Sequence, residues 1–202
     1  MTSFAIADIH GNYDALSDVI ALSGFNPASD RIIVLGDVVD YGSRSRECIE
    51  FLLGLPDRIL ILGNHDAWFL EWIETGELRE EWVSQGGAET MCSYSSLPEN
   101  VPKSHSDLLK RALPYYVDEK MRLFVHGGFD PAVPIQDQPV EQLLWNRRLI
   151  AYAARNQVPG YSLVFIGHSP TQQFGRNYPL MLHNLVMCDT GARLGECLTL
   201  ID

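Results

Sequence analysis

"GDVVDYG", Gly36–Gly42, follows the apolar run "RIIVL", Arg31–Leu35. Five strand-like residues deliver the chain to two carboxylates, Asp37 and Asp40, and burying both there is costly unless something cationic meets them. The same design recurs. "SFAIA" (3–7) leads into Asp8-Ile9-His10-Gly11-Asn12, and "RILIL" (58–62) into Gly63-Asn64-His65-Asp66. "MRLFV" (121–125) leads into His126-Gly127-Gly128, and "SLVFI" (162–166) into Gly167-His168-Ser169. One Asp, Asn or His after a strand is ordinarily a turn or cap residue. Five strand ends that each carry glycine and one of these residues point to one site, because open α/β sheets build sites beyond the carboxyl ends of their strands.

Between these runs the pattern turns helical, as in an α/β layered fold. Asn12 is placed to cap "YDALSDVIALSG", with Gly24 as its stop, and Ser45 to cap "RECIEFLLG". Asp66 is placed to cap "AWFLEWIETG", and Ser104 or Ser106 to open "DLLKRAL", halted by Pro114. "VEQLLWNRRLIAYAARN" (140–156) reads as one mostly helical stretch, and 86–102 as loop and short helical turns over the site. "NLVMCDTGARLGECLTLID" (184–202) reads as a hairpin closing the sheet.

At 202 residues the chain suits one domain, 1–202, large enough to bury roughly 70 % of its unfolded surface. A net charge of −11 argues against a protein that coats nucleic acid. It leaves a phosphorylated substrate open, since bound metal inverts the local field. No apolar run nears the roughly 20 residues that span a bilayer, and no leader pattern opens the sequence, so a cytoplasmic protein without membrane contact is expected. Cys48, Cys92, Cys188 and Cys197 have no C-x-x-C spacing and read as buried small hydrophobes. His105 and His183 read as surface or packing residues, Asp130 as a loop carboxylate, and the four tryptophans as core or site-wall aromatics.

The polar set at the converging ends is Asp8, His10, Asp37, Asp40, Asn64, His65, His126 and His168. Oxygen and imidazole donors without thiolate suit Mn²⁺, Fe²⁺ or Zn²⁺. Eight groups are too many for one ion and about right for two that share a bridging carboxylate. Two ions roughly 3.5–4 Å apart clamp the attacking and leaving oxygens of a phosphoryl displacement.

The ordered set D-x-H-G-N, G-D-x-V-D, G-N-H-D, H-G-G and G-H-S resembles the phosphoprotein-phosphatase type of metallophosphoesterase. The resemblance is nearest to its bacterial and phage serine/threonine phosphatase and diadenosine tetraphosphatase branch. It runs from Asp8 to "CDTGA" (188–192) and takes in "WVSQGGAET" and "LLWNRR". It implies a calcineurin-like α/β fold: a two-sheet β-sandwich flanked by helices, with a dinuclear metal site at strand carboxyl ends. It also implies that Asp8 and His10 hold one ion, that Asp37 bridges, and that Asn64, His126 and His168 hold the second. The ions would be divalent, Mn²⁺ first, with Fe²⁺/Fe³⁺ or Zn²⁺ as alternatives. A bridging hydroxide would attack phosphorus, while His65, oriented by Asp40, protonates the leaving oxygen.

The chain departs from the family at Tyr41, where relatives carry a phosphate-gripping arginine. A neutral phenol cannot replace a bidentate fork, so weaker phosphate binding or an altered substrate shape is expected. Arg147 in "LLWNRR" matches the family's other phosphate-gripping arginine, Asn64 also faces substrate, and Arg44 or Arg46 could reach in from the loop. The resemblance implies hydrolysis of phosphomonoesters, with serine/threonine phosphoproteins ahead of phosphotyrosine. Hydrolysis of a dinucleoside polyphosphate is the enzymatic alternative, and a weakly active phosphate-binding scaffold the non-enzymatic one.

Overall fold

A computed structural model describes residues 2–195 and 197–202. Two sheets lie face to face. The first runs β3 (Arg58–Leu60), β2 (Arg31–Val34), β1 (Ser3–Ile6), β9 (Leu200–Ile201); β1 to β3 are parallel and β9 is antiparallel to β1. The second runs β4 (Tyr115–Val117), β5 (Arg122–Val125), β6 (Leu163–Ile166), β8 (Leu185–Met187), β7 (Leu180–Leu182). Its three central strands are parallel and both edges antiparallel.

Strand periodicity decides which face meets what. Successive side chains point to opposite faces, and here both faces are apolar. Ala5, Ile33 and Leu35 meet Phe124, Phe165 and Val186 between the sheets. Their alternates Phe4, Ile6, Ile32 and Val34 pack outward, against α1 (Tyr13–Ser23), α2 (Ser45–Leu53) and α3 (Asn64–Thr75). On the other side Leu123, Val125, Val164 and Ile166 pack outward against Leu143, Leu149 and Ile150. The result is a four-layer α/β/β/α sandwich, with parallel strands buried on both faces as such strands require.

Several local expectations are corrected. Asn12 does cap α1, accepting the Ala15 N–H at 3.2 Å, and Gly24 ends it in the left-handed region. Ser45 is instead the first residue of α2 and is buried, its hydroxyl turned to Asp40 N. Asp66 is not the N-cap but the third residue of α3, in its first turn, where its carboxylate accepts from the N-cap residue Gly63 N at 3.2 Å and from Val38 N at 2.9 Å. The helix at Lys103–Lys110 starts after Pro102, ahead of both serines, and ends before Pro114. The 140–156 stretch breaks at Asn146, where φ/ψ is −71°/114°, into helices Val140–Trp145 and Arg148–Ala153. Nor is the C-terminus a hairpin: β8 joins the second sheet and β9 crosses to the first. Cys48 and Cys188 are buried, whereas Cys92 and Cys197 are exposed. Among the described residues no helix is long and apolar enough to cross a membrane.

His105 is a packing residue, buried with Nδ1 2.9 Å from the Tyr94 hydroxyl. Burial lowers its pKa below 6.5. The unfolded chain therefore takes up this proton first, so the stability is present above pH 6.5 and is lost as pH falls. The drop in Tm from pH 7.5 to pH 5.5 is expected to be smaller in His105→Gln than in the wild type, by thermal denaturation at both pH values.

Candidate metal centre

The five strand ends converge at one edge of the sandwich. Asp37 is the hub: its Oδ2 lies 3.4 Å from His126 Nε2, 3.7 Å from His10 Nε2 and 4.0 Å from His65 Nε2. Two groups of donors share it, His10–Asp37–His65 and Asp37–His126–His168, each with its ligand atoms within 4.8 Å of one another. Asn64 Oδ1 is 3.0 Å from His126 Nε2. Both oxygens of Asp8 accept the His168 backbone N–H, at 2.9 and 3.0 Å. All eight side chains are nearly or wholly buried.

Local backbone strain aims these groups. Asp8, His10, Asp37, Asp40, Tyr41 and His168 have φ between 45° and 77°, and they make up six of the ten described non-glycine residues with positive φ. Each such residue costs on the order of 1–3 kcal/mol and persists only where its surroundings enforce it. Here the enforcement is cross-strand: His10 N and Gly11 N donate to Asp37 O and Val38 O, both at 2.9 Å. Gly36 lets the β2 and β3 exits touch, since a Cβ there would lie 2.6 Å from Gly63 Cα.

The imidazoles are set up as ligands. His126 Nδ1 is 2.6 Å from Leu35 O and His10 Nδ1 is 3.0 Å from Val39 O. A carbonyl accepts only, so each Nδ1 donates and each Nε2 is left turned toward Asp37. Burial drives the pKa of His10 down to about 3 and, with His126 adding to it, that of His168 to about 2, so both rings are neutral. His168 Nε2 is buried with no hydrogen-bond partner. At His126 burial works the other way from Asp37, and Asp37 wins, raising the pKa to about 10. The charge that holds a proton on His126 would equally hold a divalent cation. An orphaned imidazole nitrogen, two oriented ones and a shared carboxylate fit two such ions.

Asp40 grips His65, with Oδ2 2.6 Å from Nδ1. Two short helices after α3, Glu80–Trp82 and Ala88–Ser93, complete it: Trp82 Nε1 donates to Oδ2 at 2.8 Å and Thr90 Oγ1 to Oδ1 at 2.7 Å. Burial opposes the charged form of His65, but Asp37 and Asp40 together raise its pKa above 6.5. Trp82 and Thr90 lie within "WVSQGGAET"; their hydrogen bonds to Asp40 are not legible in the sequence. A hydrogen bond to a charged group contributes about 1.5–3 kcal/mol. Trp82→Phe is therefore expected to lower kcat by roughly ten-fold at unchanged metal content, measured by steady-state kinetics and elemental analysis.

Trp68 packs on His65 and Trp145 on His168, ring centroids 5.1 and 5.4 Å apart, forming the wall. Trp72 and Trp82 are buried in the core beneath. Arg147 is exposed beside the His168 flank. Arg44 borders the cavity beside His10 and Tyr41 but is committed to Asp14 and Glu47, and Arg46 pairs with Glu50. Asp130 accepts from Ala132 N in its own loop. The arginine that does approach is Arg193, whose Nη1 donates to the Tyr41 hydroxyl at 3.2 Å. It stands one residue past "CDTGA"; an Arg between two glycines after a strand end was the available signal.

The model of the calcineurin-like phosphoesterases matches residues 1–188. The chain belongs to this family. The calcineurin-like phosphoesterase family implies divalent metal ions, and the His/Asp cluster suits them. Serine/threonine-protein phosphatase 2 of Salmonella typhimurium is 28 % identical over 94 % of this chain and 87 % of its own length. The symmetrical bis(5'-nucleosyl)-tetraphosphatase of Aromatoleum aromaticum is 30 % identical over 65 % of this chain, but only 45 % of its own. The chain thus spans less than half the length of the curated tetraphosphatase relatives it matches, while a solved structure described as a putative diadenosine tetraphosphatase superposes over 92 % of its own length, with a TM-score of 0.73 at 17 % identity. In structure, the cold-active protein-tyrosine phosphatase of a psychrophilic Shewanella superposes with a TM-score of 0.69 at 14 % identity, over 98 % of this chain and 74 % of its own. At that identity the likeness is one of fold.

Proposed function

We propose that this calcineurin-like phosphoesterase is a metal-dependent phosphohydrolase of phosphomonoesters, with serine/threonine phosphoproteins as its first substrate class and phosphotyrosine within its range. One observation carries the reading: a buried, carboxylate-held imidazole, His65, faces the Asp37 hub. A module that only binds phosphate has no use for a leaving-group acid. Asp8, His10 and Asp37 would hold one ion, and Asn64, His126 and His168, with Asp37 bridging, the other. Two divalent ions, when bound, lower the pKa of water from 15.7 to about 7 and polarise phosphoryl oxygens.

The chain's own residues do the rest. His65 keeps its proton on Nδ1 toward Asp40 and offers Nε2–H to the departing oxygen. Asp40, anchored by Trp82 and Thr90, fixes that ring's orientation and charge. Trp68 and Trp145 restrict water at the rim, and Arg147 meets the phosphate from the His168 side. The near full-length likeness to the Salmonella phosphatase supports the monoester reading. The slightly higher identity to the Aromatoleum tetraphosphatase over a shorter span favours a second, symmetrical dinucleoside polyphosphate hydrolysis.

Side-by-side kcat/KM on a phosphoserine peptide, p-nitrophenyl phosphate and diadenosine tetraphosphate with Mn²⁺ separates them. The monoesters are expected to lead by at least about ten-fold, roughly 1.4 kcal/mol of transition-state binding. A reversed ratio transfers the proposal to the dinucleotide. Wild type no faster than His65→Asn on all three leaves only the scaffold.

A further inference from the structure

Tyr41 gives the site no charge on the His10 side, yet a guanidinium stands there. Arg193 donates from Nη1 to the Tyr41 hydroxyl at 3.2 Å, and its Cζ lies 5.5 Å from the Tyr41 ring centroid. Tyr41 in turn packs edge-on against His10, ring centroids 5.0 Å apart. The cation is therefore joined through one side chain to the metal-site wall. Arg31, Arg44, Arg46, Arg79 and Arg122 all pair with carboxylates. Arg193 pairs with none among the described residues, and its buried Nε has no hydrogen-bond partner. A half-buried guanidinium carries a desolvation cost, and among the described residues no carboxylate pairs with it to offset that cost. It also borders a cavity of about 300 Å³ together with His10, Tyr13, Tyr41 and Arg44. Of the two arginines there, Arg44 is already neutralised by Asp14 and Glu47. In a chain of net charge −11, Arg193 is the cation at this mouth that has no carboxylate partner among the described residues.

We propose that Arg193 is a substrate-binding residue that grips the phosphoryl oxygens from the His10 flank, opposite Arg147, and that Tyr41 is the positioning residue that holds it. The inference rests on the phosphohydrolase reading and deepens it. The guanidinium comes from a loop 152 residues away from Tyr41 in the chain. Its planar fork supplies the bidentate geometry that the phenol lacks. Arg193 also acts on the site's field, since His10 and Asp189 both sense its charge.

The test is calorimetric titration of inorganic phosphate into the Mn²⁺-loaded protein, with KM for p-nitrophenyl phosphate beside it. Arg193→Ala and Arg193→Gln are each expected to raise the phosphate Kd and KM by about ten-fold or more, as loss of a charged hydrogen bond does. Their Mn²⁺ stoichiometry and Tm should stay near wild type. Tyr41→Phe should raise both constants by two- to three-fold, and Tyr41→Arg placed in Arg193→Ala should recover most of the loss. Phosphate Kd and KM within two-fold of wild type in both Arg193 variants overturn the proposal. So does affinity lost only together with bound Mn²⁺, which would make Arg193 a support of the cluster. A wild type that binds phosphate but hydrolyses nothing sinks the hydrolase reading alone, because the Kd series still decides Arg193. One that binds no phosphate sinks both.

Discussion

Replacing His65 by asparagine is expected to lower kcat by about 10²–10⁴-fold, the range of a lost general acid. KM and Mn²⁺ content should remain close to wild type. The reason is geometric: Nδ1 is committed to Asp40 at 2.6 Å, so the proton available to a leaving oxygen is the one on Nε2. Asparagine keeps a comparable shape but has no titrating proton to give. The loss should shrink with substrates whose leaving group needs no proton, so p-nitrophenyl phosphate should suffer less than a phosphoserine peptide. Equal losses on both would assign His65 to the metal cluster, where its Nε2 also lies within reach of Asp37.

Asp37→Asn is the more damaging substitution, and its effect appears before any substrate is added. Asp37 is the carboxylate shared by both donor groups, so its charge is what three imidazole nitrogens face. Ligand at 100 times its Kd stabilises the fold by about 2.7 kcal/mol. A chain of this size gains roughly 2–4 °C per kcal/mol. Mn²⁺ should then raise the wild-type Tm by roughly 5–10 °C and leave that of Asp37→Asn unmoved, with activity below that of the His65 variant. A full Mn²⁺ shift in Asp37→Asn would remove Asp37 from the centre of the account.

The strand exits were legible because two signals coincide in a few residues. An apolar run of strand length marks where the chain is buried, and glycine plus Asp, Asn or His marks where it leaves. The family resemblance then ordered those residues into ligands and an acid, and the family itself is shown by the match over 1–188. The failures are local and physical. Ser45 and Asp66 look like caps because Ser and Asp usually satisfy the first helical N–H groups. Here Ser45 Oγ is drawn to Asp40 N, and Asp66 divides its carboxylate between Gly63 N, at the start of its own helix, and Val38 N across the site. The break at Asn146 was hidden because apolar spacing continues on both sides of it.

By itself, then, the sequence determined which residue types stand at which strand ends, because strand burial and turn chemistry act over only a few neighbouring residues. Only the tertiary structure decided who supports whom: Trp82 and Thr90 on Asp40, and Arg193 on Tyr41. Those contacts join residues 42, 50 and 152 positions apart. A hydrogen bond is set by distance and direction in space, and no local pattern in the chain records where two packed layers will bring such groups together.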